Sequence, residues 1–163
     1  FSFHSGPSTV RPPKVDAYVT KFRYLAVEVN QKMGIPIPIV LAVAGLESNW
    51  GTSELALYGN NHFGLKTKEN WKGQVYCKNT NEFDYSDRQW TVENDCFRKY
   101  TFIRDSYMDF GNFLRTQSAY AYLFRIPQEN VEGWAHGLWY CNYATDPDYP
   151  FKLMDVIKKY NLK

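Results

Sequence analysis

The sequence predicts an α+β fold, predominantly helical, with a small β-hairpin lobe. Three observations predict it. Apolar residues recur at helical spacing over the first third of the chain and again after Asp105. Between Trp71 and Thr101 the pattern changes to period two around Ser86-Asp87-Arg88, which is a hairpin signal. From Ile37 to Leu46 no residue carries a charge or a side-chain hydrogen-bonding group. That run is too long for a typical strand and too short to cross a bilayer, so it reads as a helix buried nearly all round.

Taken in order, residues 1–13 hold Gly6, Pro7, Pro12 and Pro13 and read as an extended lead-in, followed by a single domain over 14–163 with its hairpin lobe at about 71–101. Lys14 to Met33 is amphipathic, with Val15, Tyr18, Phe22, Leu25, Ala26, Val29 and Met33 on one stripe, and Gly34 ends it. Pro36 or Pro38 opens the buried helix, and Gly51 can close it in a left-handed conformation. A short helix follows over Ser53 to Tyr58. Gly59-Asn60-Asn61-His62-Phe63-Gly64-Leu65-Lys66 has the composition of a tight, hydrogen-bonded loop. His62 has no second His or Cys at ligand spacing, so it reads as a loop residue and no metal is expected. Asp105 is placed to cap a helix bearing Tyr107, Phe110, Phe113 and Leu114. A further helix starts at Pro127 or Gln128 and buries Val131, Trp134, Ala135, Leu138 and Trp139. The last runs from about Tyr149 to Tyr160 with Leu153, Val156 and Ile157 inward.

Composition narrows the function classes. A length of 163 residues suffices for one core, and a formal charge of +2 is too small to suggest nucleic acid, though it suits a mildly anionic polymer. Aromatic residues make up 18% of the chain; their faces fill cores and also stack on sugar rings. No segment is long enough to span a membrane. The chain opens at Phe1 without a signal segment, and an export signal is expected to have been removed.

The buried run delivers one carboxylate, Glu47, in its last turn before Trp50-Gly51. A carboxylate there is costly unless paired, hydrogen-bonded or protonated. Apolar surroundings and the negative end of the helix dipole both raise its pKa, as a general acid near neutral pH requires. The bland alternative is an exposed residue on a frayed helix end. Of three cysteines, Cys77 and Cys96 suit a bridge: a tight hairpin pairing them has its centre between Ser86 and Asp87, where the turn residues lie. Cys141 is left as a free thiol near a helix end.

Four motifs stand in order: Leu46-Glu47-Ser48-Asn49-Trp50-Gly51, Asn60-Asn61-His62-Phe63-Gly64-Leu65-Lys66, Phe97-Arg98-Lys99-Tyr100, and Tyr143-Ala144-Thr145-Asp146-Pro147-Asp148-Tyr149 with Lys152-Leu153 behind it. Together they resemble glycoside hydrolase family 73, the lysozyme-like endo-β-N-acetylglucosaminidases that cut bacterial peptidoglycan, an autolysin and flagellar-hydrolase family. The resemblance runs from about Val15 to Leu162. It implies a lysozyme-like domain, a glycosidase acting on the β-1,4 bond between N-acetylglucosamine and N-acetylmuramic acid, no cofactor, an extracytoplasmic location and a monomer. It matches the catalytic acid to Glu47, the second acidic residue to Glu82 before Phe83, and a tyrosine near the cleavage site to Tyr143. Asp84 and Glu93 compete with Glu82 in the same segment. Trp50, Asn61, Phe63 and Trp71 are candidates for substrate binding, the three aromatics being equally suited to a core. Two positions depart from the family pattern: His62 stands where an aliphatic residue is usual, and Asn142 where a glycine is frequent.

The chemistry needs an acid because the glycosidic oxygen leaves poorly until protonated. In an inverting reaction Glu82 is the base, with the carboxyls about 6.5–9.5 Å apart. Alternatively the substrate's acetamido group attacks and Tyr143 orients it. Cys77 and Glu82 are expected on opposite hairpin faces, with Glu82 toward Glu47. A lone hairpin is marginally stable, so it is expected to stand further from Glu47 in the free protein and to close on glycan. Two other readings share the scaffold: a lytic transglycosylase, although Phe63-Gly64-Leu65-Lys66 replaces the Gly-Leu-Met-Gln continuation of such enzymes, and a non-catalytic glycan-binding module.

Overall fold

The computed structural model describes residues 11–68 and 70–163, so most of the expected lead-in lies outside the described residues. Helix α1 spans Pro13–Met33 and α2 spans Ile37–Ser48. From Ile39 to Ala44 every side chain of α2 is fully buried. An all-apolar helix has no face to offer water, so it becomes the centre of the core, and α1 packs against it. Gly34, left-handed at φ 72°, ends α1 as expected. The end of α2 differs from expectation by two residues. Asn49 is the left-handed cap, and Trp50 and Gly51 follow it at φ 54° and 81°. Asn enters this region more easily than other non-glycine residues.

Helix α3 is Glu54–Gly59, capped by the Ser53 hydroxyl, which accepts from the Ala56 N–H at 3.1 Å. Strands β1 (Gln74–Asp84) and β2 (Gln89–Lys99) form the antiparallel hairpin, in a register that sets Cys77 opposite Cys96 and Glu82 opposite Thr91. Cys77 and Cys96 are disulfide-bonded, and Cys141 is a buried free thiol. The Leu65–Thr67 segment runs along the base of β2: the Thr67 N–H donates to the Cys96 carbonyl at 3.0 Å and the Arg98 N–H to the Leu65 carbonyl at 3.0 Å. Lys66 is thereby set against the hairpin.

Helix α4 spans Ile103–Thr116, α5 spans Val131–Tyr140 and α6 spans Tyr149–Lys159. Asp105 stands inside α4 rather than before it, and its carboxylate accepts the Phe102 N–H at 3.3 Å, satisfying an orphan donor of the first turn. Helix α5 begins later than expected because Asn130, not the Pro127 turn, caps it; its side chain accepts the Gly133 N–H at 3.0 Å. Trp139 is half-buried rather than inward. A 3₁₀ segment, Ser118–Arg125, was not legible in the sequence. Helices α5 and α6 pack together and both touch α2. Among the described residues no helix is long and apolar enough to cross a membrane.

His62 sits in the core, 2% exposed. The Tyr18 hydroxyl lies 2.6 Å from its Nδ1 and 2.7 Å from the Tyr107 hydroxyl. The Tyr18 hydroxyl thus links the imidazole to the Tyr107 hydroxyl. Burial, helped by the charge of Lys21, depresses the His62 pKa from 6.5 to about 4. The unfolded chain therefore binds a proton here that the folded one refuses, and stability falls as pH drops from about 6.5 toward 4. The full difference is about 3 kcal/mol. His62→Leu, which restores an aliphatic residue, should cost about 1 kcal/mol at pH 7 through the lost hydrogen bond and should flatten the decline between pH 6.5 and 4.5. Urea titrations of both chains at the two pH values measure this. An equally steep decline in the variant would remove His62 as its source.

Candidate active site

A cleft of about 490 Å³ runs between the end of α2, the hairpin and the loop after α5. Glu47, Glu82 and Tyr143 all line it. Glu47 comes from the last turn of α2 and is half-buried. Its pKa is pushed up from 4.5 to about 7. Burial is the largest cause. The Tyr149 hydroxyl beside it works against the rise, the charge of Glu82 adds to it, and Lys78 and Lys66 partly offset it. The buried Tyr149 hydroxyl has no hydrogen-bond partner among the described residues and stands beside the carboxyl as a near contact.

Gly64 brings backbone directly against this carboxyl. It is left-handed at φ 69°, and a Cβ there would lie 2.8 Å from Glu47 Oε2. Gly64→Ala is expected to destabilise the fold by about 1–2 kcal/mol through the left-handed backbone and to displace the carboxyl, lowering turnover about 10²-fold. Thermal melts and turnover on the same preparation check both. Unchanged turnover would mean that the carboxyl has room to move.

Glu82 is held on both oxygens. Lys66 Nζ donates to Oε1 at 2.8 Å and the Thr145 hydroxyl donates to Oε2 at 2.9 Å. Lys66 also bridges to Asp95 at 3.1 Å, and Thr80 lies over the same pair. Lys78, Thr80 and Glu82 alternate along β1 onto the cleft side, while Cys77 lies on the other face, as the strand period requires. The hairpin does not stand apart from the body. The Phe83 N–H donates to the Thr145 hydroxyl at 3.2 Å, the Tyr85 hydroxyl donates to the Thr145 carbonyl, and Trp139 Nε1 donates to the Tyr85 hydroxyl at 3.0 Å. Its base is fixed as well: Arg98 Nε donates to the Lys66 carbonyl at 3.0 Å, and its guanidinium pairs with Asp109 at 2.9 Å. Lys66, Thr145, Arg98 and Tyr149 were not singled out from the sequence. Each lies in a motif quoted above, so motif membership was the available signal.

Tyr143 packs edge-on to Phe110, and its hydroxyl donates to the Phe63 carbonyl at 2.6 Å, bracing the loop under Glu47. Asn142 is left-handed at φ 66° on the cleft wall, the conformation a glycine supplies without strain. The four residues expected to meet sugar stand elsewhere. Asn61 is fully buried: its amide donates to the Leu65 and Arg98 carbonyls and its oxygen accepts the Phe63 and Gly64 N–H groups. Phe63 is 1% exposed and stacks on Phe110 at 4.2 Å. Trp50 is turned back by the left-handed Asn49-Trp50-Gly51 run onto Gly45, edge-on to Tyr18 and Tyr160. Trp71 lies outside the cleft against Tyr100 and under the Arg98 guanidinium.

The sequence profile of the Glucosaminidase family, described as mannosyl-glycoprotein endo-beta-N-acetylglucosaminidase, matches residues 23–162. This chain belongs to that family. The peptidoglycan hydrolase FlgJ of Vibrio cholerae is 29% identical over 143 residues, covering 86% of this chain and 42% of its own length. The exo-glucosaminidase LytG of Bacillus subtilis is 38% identical over 127 residues, covering 76% of this chain and 44% of its own length. The chain thus spans less than half the length of these relatives. Among solved structures, the catalytic domain of the Listeria monocytogenes autolysin Auto superposes with a TM-score of 0.74 at 28% identity, covering 93% of this chain and 87% of that one. A peptidoglycan hydrolase mutant from Sphingomonas sp. A1 gives a TM-score of 0.76 at 27% identity, with coverages of 86% and 91%. The family's fold is therefore the lysozyme-like, mainly helical one with a hairpin lobe.

Proposed function

We propose that this chain hydrolyses the β-1,4 bond between N-acetylglucosamine and N-acetylmuramic acid in bacterial peptidoglycan, with Glu47 as the general acid. The carrying observation is Glu47 itself: a carboxyl at the floor of a cleft, protonated to about pH 7 because burial disfavours its charge. Glu82 is the second carboxylate of the site, and Tyr143 steadies the loop below the acid. Work on the cell wall places the protein outside the cytoplasm. Digestion of purified peptidoglycan, with mass spectrometry of the reduced fragments, tests the reading. A reducing N-acetylglucosamine end is expected. A 1,6-anhydro end would make the chain a transglycosylase, and intact strands would make it a binding module.

One observation favours a second route for the sugar cation. Both Glu82 oxygens are occupied, one by an ammonium group. A carboxylate engaged on both oxygens has little freedom to orient a water, which favours attack by the substrate's own acetamido group, with Glu82 supplying negative charge and holding the hairpin to Thr145.

A further inference from the structure

A second groove, of about 640 Å³, lies between the 3₁₀ segment and α5. Gly137 makes it possible. A Cβ there would stand 2.7 Å from Leu123 Cδ2 and 3.2 Å from Ile126 Cδ1, so the missing side chain lets the segment close on the helix. That approach sets Tyr122 against Tyr140, with ring centroids 5.8 Å apart and planes at 59°. Both rings stay in water, 50% and 73% exposed. Single exposed aromatics are ordinary, whereas a pair rimming a groove marks a binding surface. His136 and Asn130 supply polar groups beside them. The Asn130 oxygen is taken by the Gly133 N–H, and its side-chain nitrogen makes no hydrogen bond among the described residues. No lining residue is Asp, Glu, Lys or Arg. The ligand that fits is uncharged, with apolar faces edged by hydroxyl and amide groups, which describes an N-acetylated sugar.

The groove adjoins the cleft. The 3₁₀ segment lines the cleft with Tyr120 and the groove with Tyr122, and the chain leaves the groove at Tyr140 to line the cleft from Asn142. Trp139, on the groove, donates to the Tyr85 hydroxyl, which in turn donates to Thr145 on the cleft wall. We propose that this groove is a second glycan site, a platform for N-acetylated sugar units of a strand engaged in the cleft. This rests on the hydrolase reading above. The two rings are already paired, so little freedom is lost on binding. A strand held at both sites gains from the raised local concentration, so the groove favours long strands over short fragments.

The test replaces both rings, Tyr122→Ala with Tyr140→Ala, and sets beside it the pair Tyr122→Phe with Tyr140→Phe. The alanine pair should raise KM about tenfold on long peptidoglycan strands and leave KM on tetrasaccharide fragments and kcat unchanged, while the phenylalanine pair should behave as the parent. Equal effects on long and short substrates would overturn the proposal. Binding is read without turnover on Glu47→Gln chains, by amide NMR during titration with the N-acetylglucosamine hexamer. Two sets of amides should shift, one at the cleft around Gly64 and Ala144, the other at Tyr122, His136 and Tyr140. The alanine pair should abolish the second set and keep the first. Groove amides that stay unmoved at millimolar hexamer would overturn the proposal. Groove shifts in a chain that leaves strands intact would sustain the site and remove only the hydrolase reading. Sedimentation equilibrium tests the other occupant: a dimer that the alanine pair dissolves would assign the groove to a second copy and overturn the glycan site, and a monomer in both chains is expected.

Discussion

Glu47→Gln is expected to lower turnover by about 10²–10⁴-fold, the usual worth of a general acid, while making the folded chain more stable in alkaline solution. The amide keeps the shape and removes the proton. The stability sign follows from linkage. A carboxyl whose folded pKa is raised to about 7 contributes fully below its ordinary 4.5, and that contribution is lost as pH climbs through 7. Above that, ionised Glu47 stands in its cleft at a cost of about 1–3 kcal/mol, which glutamine avoids. Turnover on peptidoglycan and urea titrations at pH 5 and 8.5 measure the two effects. The parent's activity should also decline as pH passes 7, where the acid ionises. Near-parental turnover in the variant would end the assignment. Equal stability at pH 8.5 would mean that the carboxyl is better solvated than its burial implies.

Glu82→Gln should lower turnover by about 10²-fold. It removes a negative charge from the wall facing Glu47, so the Glu47 pKa should fall and the alkaline limb of the pH profile should move toward acid. Both follow whichever way the sugar cation is captured. Azide separates the routes. If Glu82 activates water, azide should replace it and return some turnover with inverted product. If the acetamido group attacks, azide does nothing and configuration is retained. A variant with parental turnover and an unmoved pH profile would leave Glu82 as a tie between hairpin and Thr145 alone.

Much of the framework was legible because it depends on local pattern. The unbroken apolar run could only be an interior helix, and it carried Glu47 to its end. Two cysteines and a turn defined the hairpin register, and that register set Glu82 on the side opposite the disulfide. What stayed hidden depends on contacts between distant segments. Whether Trp50 met the cleft or the core turned on Asn49, not Gly51, ending α2. Asn61 reads as a polar loop residue, yet four backbone groups from the loop and from Arg98 consume its amide. The grip of Lys66 and Thr145 on Glu82 spans 16 and 63 residues, and no periodicity reports such pairings. The 3₁₀ segment lacks the 3.6-residue repeat by which helices are recognised.

The Cys77–Cys96 bridge has a consequence for the denatured chain. A polar hairpin with two half-exposed faces is weakly protected against slipping by one residue, and such a slip would turn every side chain over. Glu82 would then point away from Glu47, and Lys78 would leave with it. A covalent link joining directly opposed positions forbids the slip even when all noncovalent contacts have melted. It also removes about 3 kcal/mol of chain entropy from the unfolded ensemble. An oxidised chain therefore begins refolding with its second carboxylate on the correct face, whereas a reduced chain must find that alignment from noncovalent contacts such as those of Lys66 and Thr145.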